Sequence, residues 1–221
     1  KAGLLDRAEE LFAKLTGTAH AEAAFKYLLE IFEQEKDWQK AVDTAQQLEV
    51  VTGQSHQKEI ANFHCEMASK EIMESRPEAS RPHLEQALAH HRLCVRANLL
   101  LGDLELALKR FAAAIEAWKR IETQNPAYLA LVAERLFSAY EQLGKTGEGL
   151  ILLRGFLSKY PSLDVLNVVF TCIVAQQGPE AAYQLVRDEM RRNPTLLGLD
   201  KLLEAQLLDA PVQRRHDLEL V

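Results

Sequence analysis

Between Leu101 and Pro161 the apolar positions fall at steps of three and four, and one arrangement of them is written twice. The first copy carries Leu101-Gly102, Ala114, Trp118, Ile121 and Pro126, and the second Leu136-Phe137, Tyr140, Gly149, Leu153, Phe156 and Pro161. Ala114 and Gly149 stand 35 residues apart, as do Pro126 and Pro161. Steps of three and four put side chains on one helix face, so each copy predicts a pair of amphipathic helices. The small residue lets the paired helix come close. The proline ends the second helix, because it lacks an N–H and turns the residue before it away from helical dihedrals. A single pair cannot bury its own apolar face and must stack on neighbours.

The same spacing continues in both directions. Ala8, Phe12 and Leu15 form one copy, and Ala41, Ala45 and Leu48 another, reached from Phe25, Leu28, Leu29 and Phe32 through an Asp37-Trp38 turn. Ser80, Leu84, Ala87 and Leu88 follow Ile60, Phe63, Met67 and Ala68, and Ala182 and Val186 follow Leu166, Val169, Phe170 and Ile173. A small residue, large apolar residues four and seven later, then a proline resembles the second helix of a tetratricopeptide repeat (TPR). The resemblance implies an all-α fold, a right-handed TPR solenoid of antiparallel helix pairs in a single array. A half repeat would occupy 1–18, full repeats 19–55, 56–93, 94–127, 128–161 and 162–195, and trailing helices 196–221. Ala41 and Ser80 stand 39 residues apart against 33 to 35 elsewhere. With Pro77 and Pro82 crowding the entry, the expectation is a lengthened inter-helix loop and Pro82 in the first turn of its helix. Gly3 already reads as part of a second helix and 217–221 as the start of another, so the chain is expected to be a segment of a longer protein.

Composition narrows the function. Of 221 residues, 48% are apolar and 26% charged, ordinary values for a folded domain rather than a disordered chain. The formal charge of −6, with no basic run longer than Arg191-Arg192 or Arg214-Arg215, argues against nucleic acid as a partner. Apolar runs such as Val168-Val169-Phe170 fall far short of the roughly 20 residues that span a bilayer. Direct membrane insertion by this fragment is therefore not expected, and the fragment should be soluble. Cys65, Cys94 and Cys172 form no C-x-x-C pair and read as buried thiols of a reducing compartment.

Catalytic and metal motifs fail on inspection. Gly144-Lys145-Thr146 imitates the end of a phosphate loop, but Ala139 stands where the first glycine belongs, so it reads as a helix-pair turn. His83, His90 and His91 share a helical face without a completing ligand and read as a solvated edge. Neighbouring His64 and Cys65 point about 100° apart on a helix and form no dyad. The expectation is a non-enzyme with no catalytic, cofactor or metal residues.

What remains is surface. In TPR arrays the first helices line a concave groove, and the resemblance places there Lys26, Glu30, Glu33, Asn62, Ser69, Met73, Arg96, Leu99, Asp103 and Leu106. Glu134, Ser138, Glu141, Asn167 and Thr171 continue it, with Arg96, Leu99, Asp103 and Glu134 expected near its centre. TPR domains that clamp C-terminal carboxylates follow a lysine with an asparagine one turn later. Here Glu30 follows Lys26, which disfavours a chaperone-tail receptor.

A narrower resemblance emerges from the order of segments. Residues 3–12 (GLLDRAEELF), 28–32 (LLEIF) with 37–41 (DWQKA), 59–66 (EIANFHCE), 140–146 (YEQLGKT) and 192–195 (RNPT) are similar to the lipopolysaccharide assembly protein B family, over nearly the whole chain. That family combines a membrane helix, a TPR array and a rubredoxin-like module on the cytoplasmic face of the bacterial inner membrane. The resemblance implies a non-enzymatic adaptor that promotes degradation of the LpxC deacetylase by the membrane protease FtsH, with those two proteins as partners. A scaffold for lipopolysaccharide synthesis or transport components is the second implied reading, and a homodimer is a possible assembly. Any iron or zinc would belong to the rubredoxin-like module, whose paired cysteines this chain does not contain.

Overall fold

A computed structural model describes residues 2–192 and 194–209. The helices are α1 (Ala2–Leu15), α2 (Ala21–Glu35), α3 (Trp38–Thr52), α4 (Gln57–Met73), α5 (Pro77–His90), α6 (Val95–Ala107), α7 (Phe111–Lys119), α8 (Ile121–Gln124), α9 (Ala130–Gln142), α10 (Thr146–Lys159), α11 (Leu163–Gln177), α12 (Pro179–Arg192) and α13 (Leu196–Asp209). Arg120, between α7 and α8, keeps helical dihedrals, and a short 3₁₀ turn spans Pro126–Tyr128. No strand occurs among the described residues. The expected helix at 217–221 lies outside them, as does Asn193.

The chain divides after Leu108 into two compact units. In the first, α2 pairs with α3 and α4 with α5, α1 packs on α2, and α6 packs on both α4 and α5. In the second, α9 pairs with α10 and α11 with α12, α7 packs on α9, and α13 rests on α11 and α12. Within each unit the first helices of successive pairs also meet, α4 with α6 and α9 with α11. This is the packing of a TPR solenoid.

The connectors force these pairings. Between α2 and α3 only Lys36 and Asp37 intervene. Lys36 turns left-handed (φ 58°), its N–H bonds back to Phe32 and Glu33, and the Asp37 carboxylate caps α3 by accepting from the Lys40 N–H. Gly53 and Gly178 take positive φ at the ends of α3 and α11. Gly144, with φ 70°, turns α9 into α10, so the phosphate-loop imitation is a helix-pair turn.

One small position recurs in every second helix. Ala41, Ser80, Ala114, Gly149 and Ala182 are each the fourth residue of their helix, and each is buried. Four residues on, Ala45, Leu84, Trp118, Leu153 and Val186 are all 0% exposed. Three further on come Leu48, Ala87, Ile121 and Phe156, again buried, but the last copy places Glu189 there. Burial of large apolar side chains supplies roughly 1.5–3 kcal/mol each, which makes this stripe the principal attraction between helices.

The expected long loop near Pro77 is absent. Only Glu74, Ser75 and Arg76 join α4 to α5, with Ser75 at φ 60° and Arg76 paired to Glu71 at 2.7 Å. The added residues are spread over a 17-residue α4, a longer α3 and slightly longer connectors on either side of α4. Pro77 rather than Pro82 takes the first helical position, where a missing N–H costs nothing. Pro82 therefore sits inside α5 and forfeits one backbone bond, to the carbonyl of exposed Glu78. The neighbouring Arg81 pairs with the buried Glu105 carboxylate of α6.

Gly149 shows why the fourth position must be small. A Cβ added there would lie 2.9 Å from the Tyr140 Cβ, whereas one added at Gly155 on the same helix meets nothing within 4 Å. Gly155→Ala is expected to raise stability by about 0.5–1 kcal/mol through helix propensity. Gly149→Ala is expected to lower it by up to about 2 kcal/mol, the overpacking cost exceeding the same gain. Urea denaturation of the two variants checks this, and a shift in the same direction for both would remove close helix approach as the constraint.

Candidate protein-binding faces

All fifteen residues singled out for the concave groove lie on first helices. In the first unit Lys26 and Glu30 stand on α2, Asn62, Ser69 and Met73 on α4, and Arg96, Leu99, Asp103 and Leu106 on α6. Lys26 is engaged by Glu22 at 2.6 Å, so the carboxylate-clamp position is already neutralised within its own helix. Arg96 Nη1 donates to Asn62 Oδ1 and to Glu66 Oε1, both at 2.7 Å, bracing α6 against α4. Glu66 was not legible as a groove residue. Its signal was the four-residue step from Asn62, which places both on one face. The Ser69 hydroxyl donates to the Cys65 carbonyl, while Met73 is 79% exposed at the end of α4. Burial, and then Glu30 and Glu59 nearby, raise the Glu33 carboxyl above its ordinary value, so this face is locally acidic.

In the second unit Glu134, Ser138 and Glu141 on α9 and Asn167 and Thr171 on α11 all line one cleft of about 390 Å³. Phe137, Val168, Cys172 and Ala175 complete its walls and were not read from the sequence as groove residues, although each lies within four residues of a polar member. The cleft has two carboxylates, no lysine or arginine, and a partly apolar lining. Gln176 Nε2 donates to Glu141 Oε1 at 3.3 Å, which fixes one carboxylate. Burial, then Glu141 and Glu134, push the Cys172 thiol up to about 11, so it stays protonated. These groups provide no nucleophile with an adjacent base. They suit a segment that brings an apolar side chain and cationic or N–H donors.

The expected solvated histidine edge needs correction. His83 and His90 do share a face of α5, but that face meets α4, where His64 is only 8% exposed. The His64 ring stacks on His90 at 5.5 Å and on His83 at 6.2 Å, and His90 Nδ1 lies 2.7 Å from Gln57 Oε1. His91 ends α5. Among the described residues no group of three His, Cys, Asp or Glu side chains is placed to hold a metal ion. No described helix is long and apolar enough to cross a membrane.

Comparison with known proteins bears on both fold and family. A tetratricopeptide repeat family model matches residues 74–128. Lipopolysaccharide assembly protein B of Escherichia coli (strain K12) is 29% identical over 221 residues, covering all of this chain and 57% of that protein. The chain resembles lipopolysaccharide assembly protein B along its entire length. The Haemophilus influenzae protein of the same name is also 29% identical, over 94% of this chain and 52% of its own length. The chain thus spans little more than half of the curated relatives it matches. Among solved structures, MamA aligns over 88% of this chain and 99% of its own at 12% identity with a TM-score of 0.48. PilF of Pseudomonas aeruginosa aligns over 91% and 97% at 16% identity with a TM-score of 0.46.

The buried imidazole generates a pH dependence. Burial, with His90 and His83 beside it, lowers His64 from 6.5 to about 4. Between those values the unfolded chain binds the proton and the folded chain does not, so stability rises with pH across this window. The melting temperature is expected to fall as pH drops from about 6.5 towards 4, and less steeply in His64→Phe, which keeps the stack without titrating. Parallel melting curves for the two proteins would exclude His64 as the source.

Proposed function

We propose that the protein containing this chain is a non-enzymatic adaptor in lipopolysaccharide synthesis. In this reading its TPR helices bind the LpxC deacetylase and present it to the FtsH protease at the cytoplasmic face of the inner membrane. The observation that carries the reading is the likeness to lipopolysaccharide assembly protein B over the whole chain, on an architecture that stacks helix pairs and leaves their first helices open. The α9–α11 cleft supports it further, because its paired carboxylates and apolar walls are equipped for binding a polypeptide. The relatives' own name favours a second reading, a scaffold that gathers assembly components without directing proteolysis.

Deacetylase turnover separates the two. In cells whose own copy is deleted, the intact protein should restore a short LpxC half-life after protein synthesis is stopped. Glu134→Lys combined with Glu141→Lys should lengthen that half-life several-fold. Lys119→Ala, on α7 and paired only locally with Glu116, should leave it unchanged. A half-life that does not respond to deletion of the protein would refute the adaptor and favour the scaffold.

A further inference from the structure

Two cysteines 29 residues apart in sequence meet in the first unit, where Cys65 Sγ lies 3.9 Å from Cys94 Sγ with both thiols free. Cys65 is fully buried on α4 in a cluster with Ala61, Ala87 and Ala97. Cys94 is partly exposed at the N-cap of α6 and packs on the same cluster. A disulfide requires an S–S distance near 2 Å, so the sulfurs must close by slightly less than ~2 Å. The neighbours are mostly alanines, and Cys94 sits at the end of the short His91–Leu93 connector, so rotation of the two side chains displaces little.

We propose that Cys94 and Cys65 are a peroxide-reactive dithiol, with Cys94 the attacking and Cys65 the resolving thiol. The Cys94 thiolate attacks one oxygen of hydrogen peroxide, the O–O bond breaks, and the departing hydroxide takes up a proton and leaves as water. Cys94 is then a sulfenic acid. Cys65 sulfur attacks the Cys94 sulfur, the S–O bond breaks, and the hydroxide leaves with the Cys65 proton as a second water. Two thiols lose two electrons and two protons, and one peroxide becomes two waters.

The surroundings set the order of attack. The Cys65 thiol hydrogen-bonds to Cys94, and the amides of Ala97 and Arg96 and the Arg96 charge add to it, drawing the Cys94 thiol below its ordinary value. The same pairing, together with burial, holds Cys65 protonated. The bond would tie α4 to the start of α6, the two helices that Arg96 already braces through Asn62 and Glu66.

The reduced, desalted chain treated with hydrogen peroxide at neutral pH tests this by intact mass and peptide mapping. The expected product is about 2 Da lighter, the two hydrogens lost, with the Cys65 and Cys94 peptides joined and Cys172 still alkylatable. Cys94 should be consumed at least about tenfold faster than Cys172, whose thiol is held protonated. Cys65→Ala, conservative among alanines, should instead accumulate a dimedone-reactive sulfenic acid at Cys94, and Cys94→Ser should form neither product. Equal rates at Cys94 and Cys172 would overturn the proposal. So would sulfenic acid persisting at Cys94 of the unsubstituted chain without the joined peptide. Both outcomes are read on the unsubstituted chain and stand whether or not the variants fold.

Discussion

The closeness with which two helices pack against each other depends here on one side chain, the fourth residue of each second helix. At Ala41, Ser80, Ala114, Gly149 and Ala182 that side chain is a methyl group, a hydroxymethyl group or nothing. A small contact lets the larger residue one turn later reach full burial, as Leu84, Trp118 and Leu153 do. Against Tyr140 the position is a glycine, where an added Cβ would lie 2.9 Å from the Tyr140 Cβ. Because each second helix is committed to this contact and to the next pair, the first helices keep one face without a core role. That open face is a by-product of the packing rule.

That surface has different chemistry in the two units. On α4 and α6 the prominent polar groups are already satisfied by one another, with Arg96 held by Asn62 and Glu66. Such a braced patch is rigid and costs little entropy to present to a partner. On α9 and α11 the carboxylates of Glu134 and Glu141 flank a partly apolar cleft that contains no cation. A partner's positive or N–H-rich segment would supply what this cleft lacks. Charge complementarity of this kind governs specificity and association rate more than total affinity.

Much of this was legible in the sequence, for a physical reason. Helix register is a local property, so the three-and-four spacing located the helices, their small contacts and the first-helix faces. The five second-unit residues chosen by that logic all line a single cleft. The failures concern contacts between segments far apart in the chain. Excess length around Pro77 read as a loop because spacing counts residues without saying where they go, and helices absorbed part of it. The histidines read as solvated because one helix was considered alone, whereas His64 meets His83 and His90 from the facing helix. Cys65 and Cys94 escaped as a pair for the same reason, lying 29 residues apart.

The central claim is that the first helices, and the α9–α11 cleft in particular, are where a protein partner is held. Hydrogen–deuterium exchange of the chain with and without purified LpxC deacetylase tests it most directly. The account predicts slowed exchange on binding in 130–142 and 163–177, with little change in 146–159 and 179–192. Protection confined to those second helices, or no protection anywhere at saturating deacetylase, would contradict it.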